Sequence, residues 1–150
     1  MKDKIFLDTN IFVYNFDEND SFKRQRSIEI VSSALSSDNY YTSYQVIQEF
    51  TNVASRKFAV PLKKPDLQTY LKSVLFPLCR VHYSHENILK ATEIQQKHKL
   101  SFYDSLIVSS ALECKCNVLY SEDLGDGDKI QTLEIRNPFK VKTGKGRKEL

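Results

Sequence analysis

Glycine is scarce, with four in 150 residues and none before Gly125. A loop that wraps phosphates in backbone N–H groups needs glycine soon after the first strand. Neither a P-loop nor a dinucleotide-binding fingerprint is therefore available, and nucleotide cofactors are disfavoured. Cysteine is scarcer still. Cys79, Cys114 and Cys116 are odd in number and too few for a disulfide scaffold, which points to reduced thiols. Cys114-Lys115-Cys116 also lacks the two-residue spacer of a zinc knuckle, and the nearest histidine, His98, stands well apart. Long apolar runs are missing too. Asp8 and Asn10 interrupt the first apolar stretch, so it reads as neither a secretion signal nor a membrane span. The expectation is a cytoplasmic protein with no membrane contact. Nor does one sign of charge dominate: a net charge of +3 attracts acidic partners only weakly.

What remains is ordinary globular composition, 41% apolar and 27% charged, in a length that suits one domain with its own core. Lys4 to Leu7 is a short apolar strand running into Asp8-Thr9-Asn10, a capping or turn sequence. Ile28, Val31 and Leu35 give a helix over residues 21–36 its expected apolar face. A second strand spans 39–43. The helix after it, 44–58, carries the stripe Ile47, Phe50, Ala54 and Phe58, flanked by Val46 and Val53. Pro61 and Pro65 punctuate the chain before a helix over 66–76. A third strand is expected over 80–83, a polar helix over 86–98 and a strongly apolar helix over 102–113. Strands over 117–120 and 132–135 complete the series. Strands alternating with helices specify an α/β fold whose parallel sheet is covered on both faces. The last eleven residues, 140–150, hold five Lys or Arg and one acid, a basic tail that could follow a phosphate backbone or simply be solvated.

In such a sheet the functional crevice lies beyond the C-terminal ends of the strands. Asp8 directly follows the first strand, and Asp123 lies three residues after Tyr120 at the end of the fourth. Asp104 opens the helix preceding the fourth strand. Each has an ordinary alternative. Asp8 can cap the next helix, Asp104 follows Ser101 at capping-box spacing, and Asp123 sits in an acidic, glycine-containing turn. Glu49, on a helix, can simply be solvated. Helical geometry weighs against two of these alternatives. Asp104 shares its face with Ile107, Val108 and Ala111, and Glu49 borders its own apolar stripe beside Val46 and Val53.

A carboxylate so placed is desolvated at a cost of several kcal/mol or compensated by a cation. No Lys or Arg stands next to Asp8 or within a turn of Asp104. Converging carboxylates repel one another unless a cation holds them, and oxygen-only ligands suit Mg²⁺ or Mn²⁺. Thr9, Asn10 and Ser121 add small polar groups of the kind such phosphoryl chemistry uses.

These residues fall into four segments: Ile5-Phe6-Leu7-Asp8-Thr9-Asn10, Gln48-Glu49-Phe50, Ser101-Phe102-Tyr103-Asp104-Ser105-Leu106-Ile107 and Tyr120-Ser121-Glu122-Asp123-Leu124. In that order, with Asn137-Pro138-Phe139 as a closing segment, the chain resembles the PIN-domain ribonucleases, especially the VapC-type toxins of toxin–antitoxin pairs. The resemblance implies a three-layer α/β/α sandwich with a central parallel sheet. Residues 1–139 would form one nuclease domain, with 140–150 as the basic tail, which the resemblance does not explain. It also implies a divalent metal held chiefly by Asp8 and Asp104, with Glu49 and Asp123 completing the cluster. Ser121 would position water or the fourth acid, and Thr9 and Asn10 would lie at the substrate. It implies a homodimer that cleaves structured RNA, tRNA or ribosomal RNA, until an antitoxin blocks the site.

Other readings stand beside it. A PIN nuclease of RNA processing or decay would share these residues, and a non-catalytic RNA-binding module would not need four acids. An Asp-nucleophile phosphatase generally wants a second acid two residues after Asp8, where Asn10 stands. Two further features are read as structural by default. Lys23, Arg24 and Arg26 form a basic run on an exposed helix, with RNA or antitoxin contact as the alternative. Phe102 and Tyr103 are assigned to packing rather than to base stacking.

Overall fold

The computed structural model describes residues 2–140, so nearly all of the basic tail, 141–150, lies outside the described residues. The central strand is β1 (Ile5–Leu7), and all three of its residues are buried. Burial of successive residues, which point to opposite faces, means that both faces of the sheet are covered. The other strands are β2 (Tyr40–Ser43), β3 (Cys79–Val81), β4 (Val118–Tyr120), β5 (Lys129–Ile130) and β6 (Leu133–Arg136). They form one six-stranded sheet in the order β3-β2-β1-β4-β6-β5. Every neighbouring pair is parallel except β5 with β6, an antiparallel edge hairpin that the sequence reading did not include. Only two residues long, β5 gives too little alternation to register as a strand.

The helices are α1 (Thr9–Val13), α2 (Ser21–Leu35), α3 (Tyr44–Arg56), α4 (Lys64–Tyr70), α5 (Phe76–Leu78), α6 (His85–His98) and α7 (Phe102–Glu113). None of them is long and apolar enough to cross a membrane. Phe6, Leu7, Phe12, Phe50, Leu75, Val108 and Leu119 are fully buried between sheet and helices. Each contributes roughly 1.5–3 kcal/mol through burial of its side chain.

Two expectations need correction. The inward face of α2 is Ser27, Ile30, Val31 and Ala34, whereas Ile28 and Leu35 are 40% and 45% exposed. Apolar residues cover a wide arc of this helix, so spacing alone selects more than one face. Pro65 does not delay the next helix but sits in the first turn of α4, where its missing N–H would be unpaired anyway. That helix then continues through a π turn (Leu71–Leu75), closed by Phe76 N–H donating to the Leu71 carbonyl, into α5.

Candidate active site

Register brings the first two site residues together. Leu7 is paired with Tyr120, so Asp8 and Ser121 leave their strands at the same level of the sheet. The Asp8 backbone N–H donates to the Tyr120 carbonyl at 3.1 Å, and that of Ser121 to the Arg136 carbonyl at 3.1 Å. Asp8 is the N-cap of α1. Its Oδ1 accepts from the Thr9 backbone N–H at 2.7 Å, and its Oδ2 from the fully buried Ser121 hydroxyl at 2.9 Å. Capping and membership of an acidic site are thus compatible, because the two oxygens have separate partners.

Glu49 arrives from the other side of β1. Strand β2 is parallel to β1 and passes directly into α3, which carries Glu49 to the same end of the sheet. Its carboxylate accepts from the Thr9 hydroxyl and, at 3.0 Å, from Gln45 Nε2. Gln45 is buried, and the same amide group donates to the Tyr103 carbonyl at 3.2 Å. It therefore ties α3 to the start of α7, one residue before Asp104. The Ser101 hydroxyl caps α7 by accepting from the Asp104 backbone N–H at 3.1 Å, which leaves the Asp104 carboxylate to face the crevice. Asp123, beyond β4, accepts from Asn10 Nδ2 at 3.2 Å.

All four acids line one pocket of about 320 Å³, together with Thr9, Asn10, Asn52, Val53, Lys57 and Ile107. Gln45, Asn52 and Lys57 were not singled out from the sequence. The signal was present, because Gln45, Glu49, Val53 and Lys57 form one i, i+4 row and Asn52 lies beside it. The basic run of α2 has a different role. Lys23 pairs with Glu122 at 2.5 Å, Arg24 Nε donates to the Asn15 carbonyl at 3.3 Å and Arg26 Nε to the Pro138 carbonyl at 3.0 Å. Half-buried Lys23 and Arg26 fasten α2 to its surroundings, while Arg24 remains exposed to solvent.

Burial pushes the Asp8 carboxyl up from its ordinary value of 3.8 to about 7. The Thr9 and Ser121 hydrogen bonds oppose the rise, and the charges of Glu49 and Asp123 add to it. Asp123 is raised as well, by desolvation first and then by the nearby charges of Asp104 and Glu122. A site that makes Asp8 and Asp123 costly to ionise favours a cation.

Among the described residues, no three Asp, Glu, His or Cys side chains are grouped tightly enough to coordinate an ion directly. The donor set still fits a hydrated one. Every acidic side chain offers oxygen, and a pocket of about 320 Å³ has room for an ion with several waters. Mg²⁺ keeps several waters and needs only one or two carboxylates directly.

Residues 5–125 match the family model described as PIN domain. The chain belongs to the PIN-domain family. No match among curated proteins reaches significance. Solved structures similar to this PIN domain include a toxin–antitoxin complex from Klebsiella pneumoniae, at 16% identity and TM-score 0.65, covering 89% of this chain and 97% of the other. Another is the Mycobacterium tuberculosis toxin VapC20, described as cleaving the sarcin–ricin loop, at 19% identity and TM-score 0.62, covering 79% and 89%. A third is VapBC2 from Rickettsia felis bound to a promoter DNA fragment, at 20% identity and TM-score 0.60, covering 88% and 96%. At these identities the likeness establishes the fold, and it agrees with the expected α/β architecture.

Proposed function

We propose that this PIN domain is a divalent-metal-dependent endoribonuclease that hydrolyses RNA phosphodiester bonds as the toxin of a type II toxin–antitoxin pair. The observation that carries the reading is the pocket. Four carboxyl groups line it, and no ion pair among the described residues includes any of them. Asp8, Asp104 and Asp123 would hold Mg²⁺ or Mn²⁺, with Glu49 completing the group. When bound, such an ion supplies positive charge to the phosphoryl group and acidifies water.

The chain's own side chains orient the acids. Ser121 and the Thr9 N–H fix the two oxygens of Asp8, Thr9 and Gln45 aim Glu49, and Asn10 aims Asp123. Thr9 and Asn10 also line the pocket, where they would meet the substrate. Glu49 would accept a proton from the attacking water.

RNA as substrate, whether tRNA or ribosomal RNA, is supported by the family and by the neighbour described as cleaving the sarcin–ricin loop. An antitoxin partner is supported by the neighbour solved as a toxin–antitoxin complex. It is also supported by a recess of about 550 Å³ lined by Val13, Phe16, Phe58, Val60 and Leu62. The chain passes directly from Lys57 in the acid pocket to Phe58 in this recess. Exposed Tyr44, Tyr83 and Tyr103 support homodimerisation, because a second copy would cover aromatic surface otherwise left in water.

The test is incubation of purified protein with total cellular RNA and Mg²⁺ or Mn²⁺, beside Asp104→Asn and an EDTA control. Discrete fragments that disappear in both controls are expected. Absence of cleavage by folded, antitoxin-free protein with either metal overturns the reading.

A further inference from the structure

One wall of the acid pocket changes character along its length. Glu49, Val53 and Lys57 occupy successive turns of one row on α3, with Asn52 beside them, and all four line the pocket. The row runs from carboxylate through amide and methyl groups to an ammonium. Lys57 is the C-cap of α3, its backbone N–H donating to the Val53 carbonyl at 2.8 Å. The negative end of the helix dipole favours a cation there.

Two features make this lysine unusual. Among the described residues it is the only basic one lining a pocket that carries four acids. Yet no ion pair among the described residues includes it. Eight residues of helix place it about 12 Å along the axis from Glu49. A lysine meant to neutralise the acids would stand closer, whereas one at the pocket's rim suits an anion adjoining the reacting group. Its side chain is solvent-exposed, so it can reach such an anion without being dehydrated beforehand.

We infer that Lys57 binds a backbone phosphate of the RNA strand neighbouring the one to be cut, and so sets the substrate's register in the pocket. The inference rests on the nuclease reading and deepens it. Lys57 touches substrate but no reacting atom. Removing it weakens substrate binding and leaves the chemical step nearly intact. The opposing account makes Lys57 a long-range counter-charge to the carboxylates, and its removal would then tighten divalent-cation binding.

The experiment compares wild type, Lys57→Met, Lys57→Arg and Arg56→Met as full-length proteins. The probe is a labelled unpaired RNA oligonucleotide that the wild type cuts. Arg56→Met removes the same charge one residue away, from a position that does not line the pocket. Lys57→Met is expected to raise KM about tenfold, the scale of one charge-assisted contact, with kcat within about twofold. The log–log salt dependence of binding should become shallower by about 0.7, the value for one phosphate contact on a single strand. Lys57→Arg restores both quantities, Arg56→Met changes neither, and the half-saturating Mg²⁺ concentration stays constant.

Equal KM values for Lys57→Met and Arg56→Met overturn the inference, as does a lowered Mg²⁺ requirement in Lys57→Met. If the wild type cuts no RNA, the nuclease reading fails first. Equilibrium binding of a mixed-sequence oligonucleotide then decides the lysine separately. A loss of affinity and salt slope specific to Lys57→Met upholds the contact, and affinity equal to that of Arg56→Met overturns it.

Discussion

Glu122 and Asp123 are consecutive residues beyond β4, and the fold treats them in opposite ways. Glu122 turns toward α1 and α2, where it accepts hydrogen bonds from the Tyr14 hydroxyl and from the Lys23 ammonium at 2.5 Å. The same ammonium lies 4.8 Å from the centre of the Tyr14 ring. The salt bridge holds the Lys23 pKa high, and burial together with the neighbouring Glu122 raises that of Tyr14. Asp123 turns the other way, toward a pocket of like charges, where the Asn10 amide is its one donor among the described residues. One carboxylate is matched by a cation of the chain and serves the structure. Its neighbour is left unmatched and remains available for a ligand. The contrast shows that net charge near a site says little, because pairing decides which acids stay available for a ligand.

The largest test of that contrast is Asp8→Asn. Cleavage activity is expected to fall more than about a hundredfold, beyond what loss of an outer partner costs, as read by initial rates on the oligonucleotide. Stability in EDTA should rise, because the variant no longer places an ionisable carboxyl where burial and like charges oppose it.

A pH series on metal-free protein sharpens the same point. The Asp8 carboxyl titrates near 7 when folded, against an ordinary 3.8. Between those values the native chain keeps a proton that the unfolded chain has lost. This contribution is complete below the unfolded value and disappears as pH rises through the folded one. Denaturant unfolding in EDTA should therefore show wild type losing stability relative to Asp8→Asn across about pH 4 to 7. The loss is of the order of 4 kcal/mol at most, three pKa units at 1.36 kcal/mol each. Saturating Mg²⁺ should remove it, and an identical pH profile for the two proteins would sink the idea.

Ser121→Ala comes next. The hydroxyl orients Asp8 without facing the substrate, so activity or metal affinity should fall about 10- to 100-fold, with Mg²⁺ titrations showing which. The smallest effect belongs to the matched acid. Lys23→Met leaves Glu122 partly buried without its cation and should destabilise by about 1–2 kcal/mol. The melting temperature falls accordingly, while kcat of the folded protein stays within about twofold. A kcat collapse in this variant would erase the distinction between the two neighbours.

How far the sequence foretold this arrangement depends on the feature. The parallel sheet and the level of Asp8 were readable, because strands alternating with helices call for parallel pairing and a short apolar strand ending in Asp-Thr-Asn places the acid at the crevice end. Glu49 and Asp104 were readable from helical phase, since each borders an apolar stripe that has to pack. The pairing of Lys23, Arg24 and Arg26 was not, because their partners lie at Glu122, Asn15 and Pro138, and tertiary contacts leave no periodic trace. The inward face of α2 was ambiguous for a related reason. Ile28, Ile30, Val31 and Leu35 together span too much of the helix for spacing to choose among them. Lys57 was within reach, since it continues the row from Glu49 and Val53, but a charged residue near a helix end ordinarily reads as a solvated cap.

Proximity of residues 8, 49, 104 and 123 also has a meaning in the order of synthesis. Asp8 and Glu49 come early from a ribosome, yet Asp123 and Ser121 come late, and β4 is flanked by β6, ending at Arg136. An N-terminal fragment that stops before Asp123 lacks one of the four acids, and one that stops between Asp123 and β6 lacks the strand that pairs with β4. A nascent chain therefore carries no assembled site until residue 123 has been made, and the strand that supports β4 follows only after that.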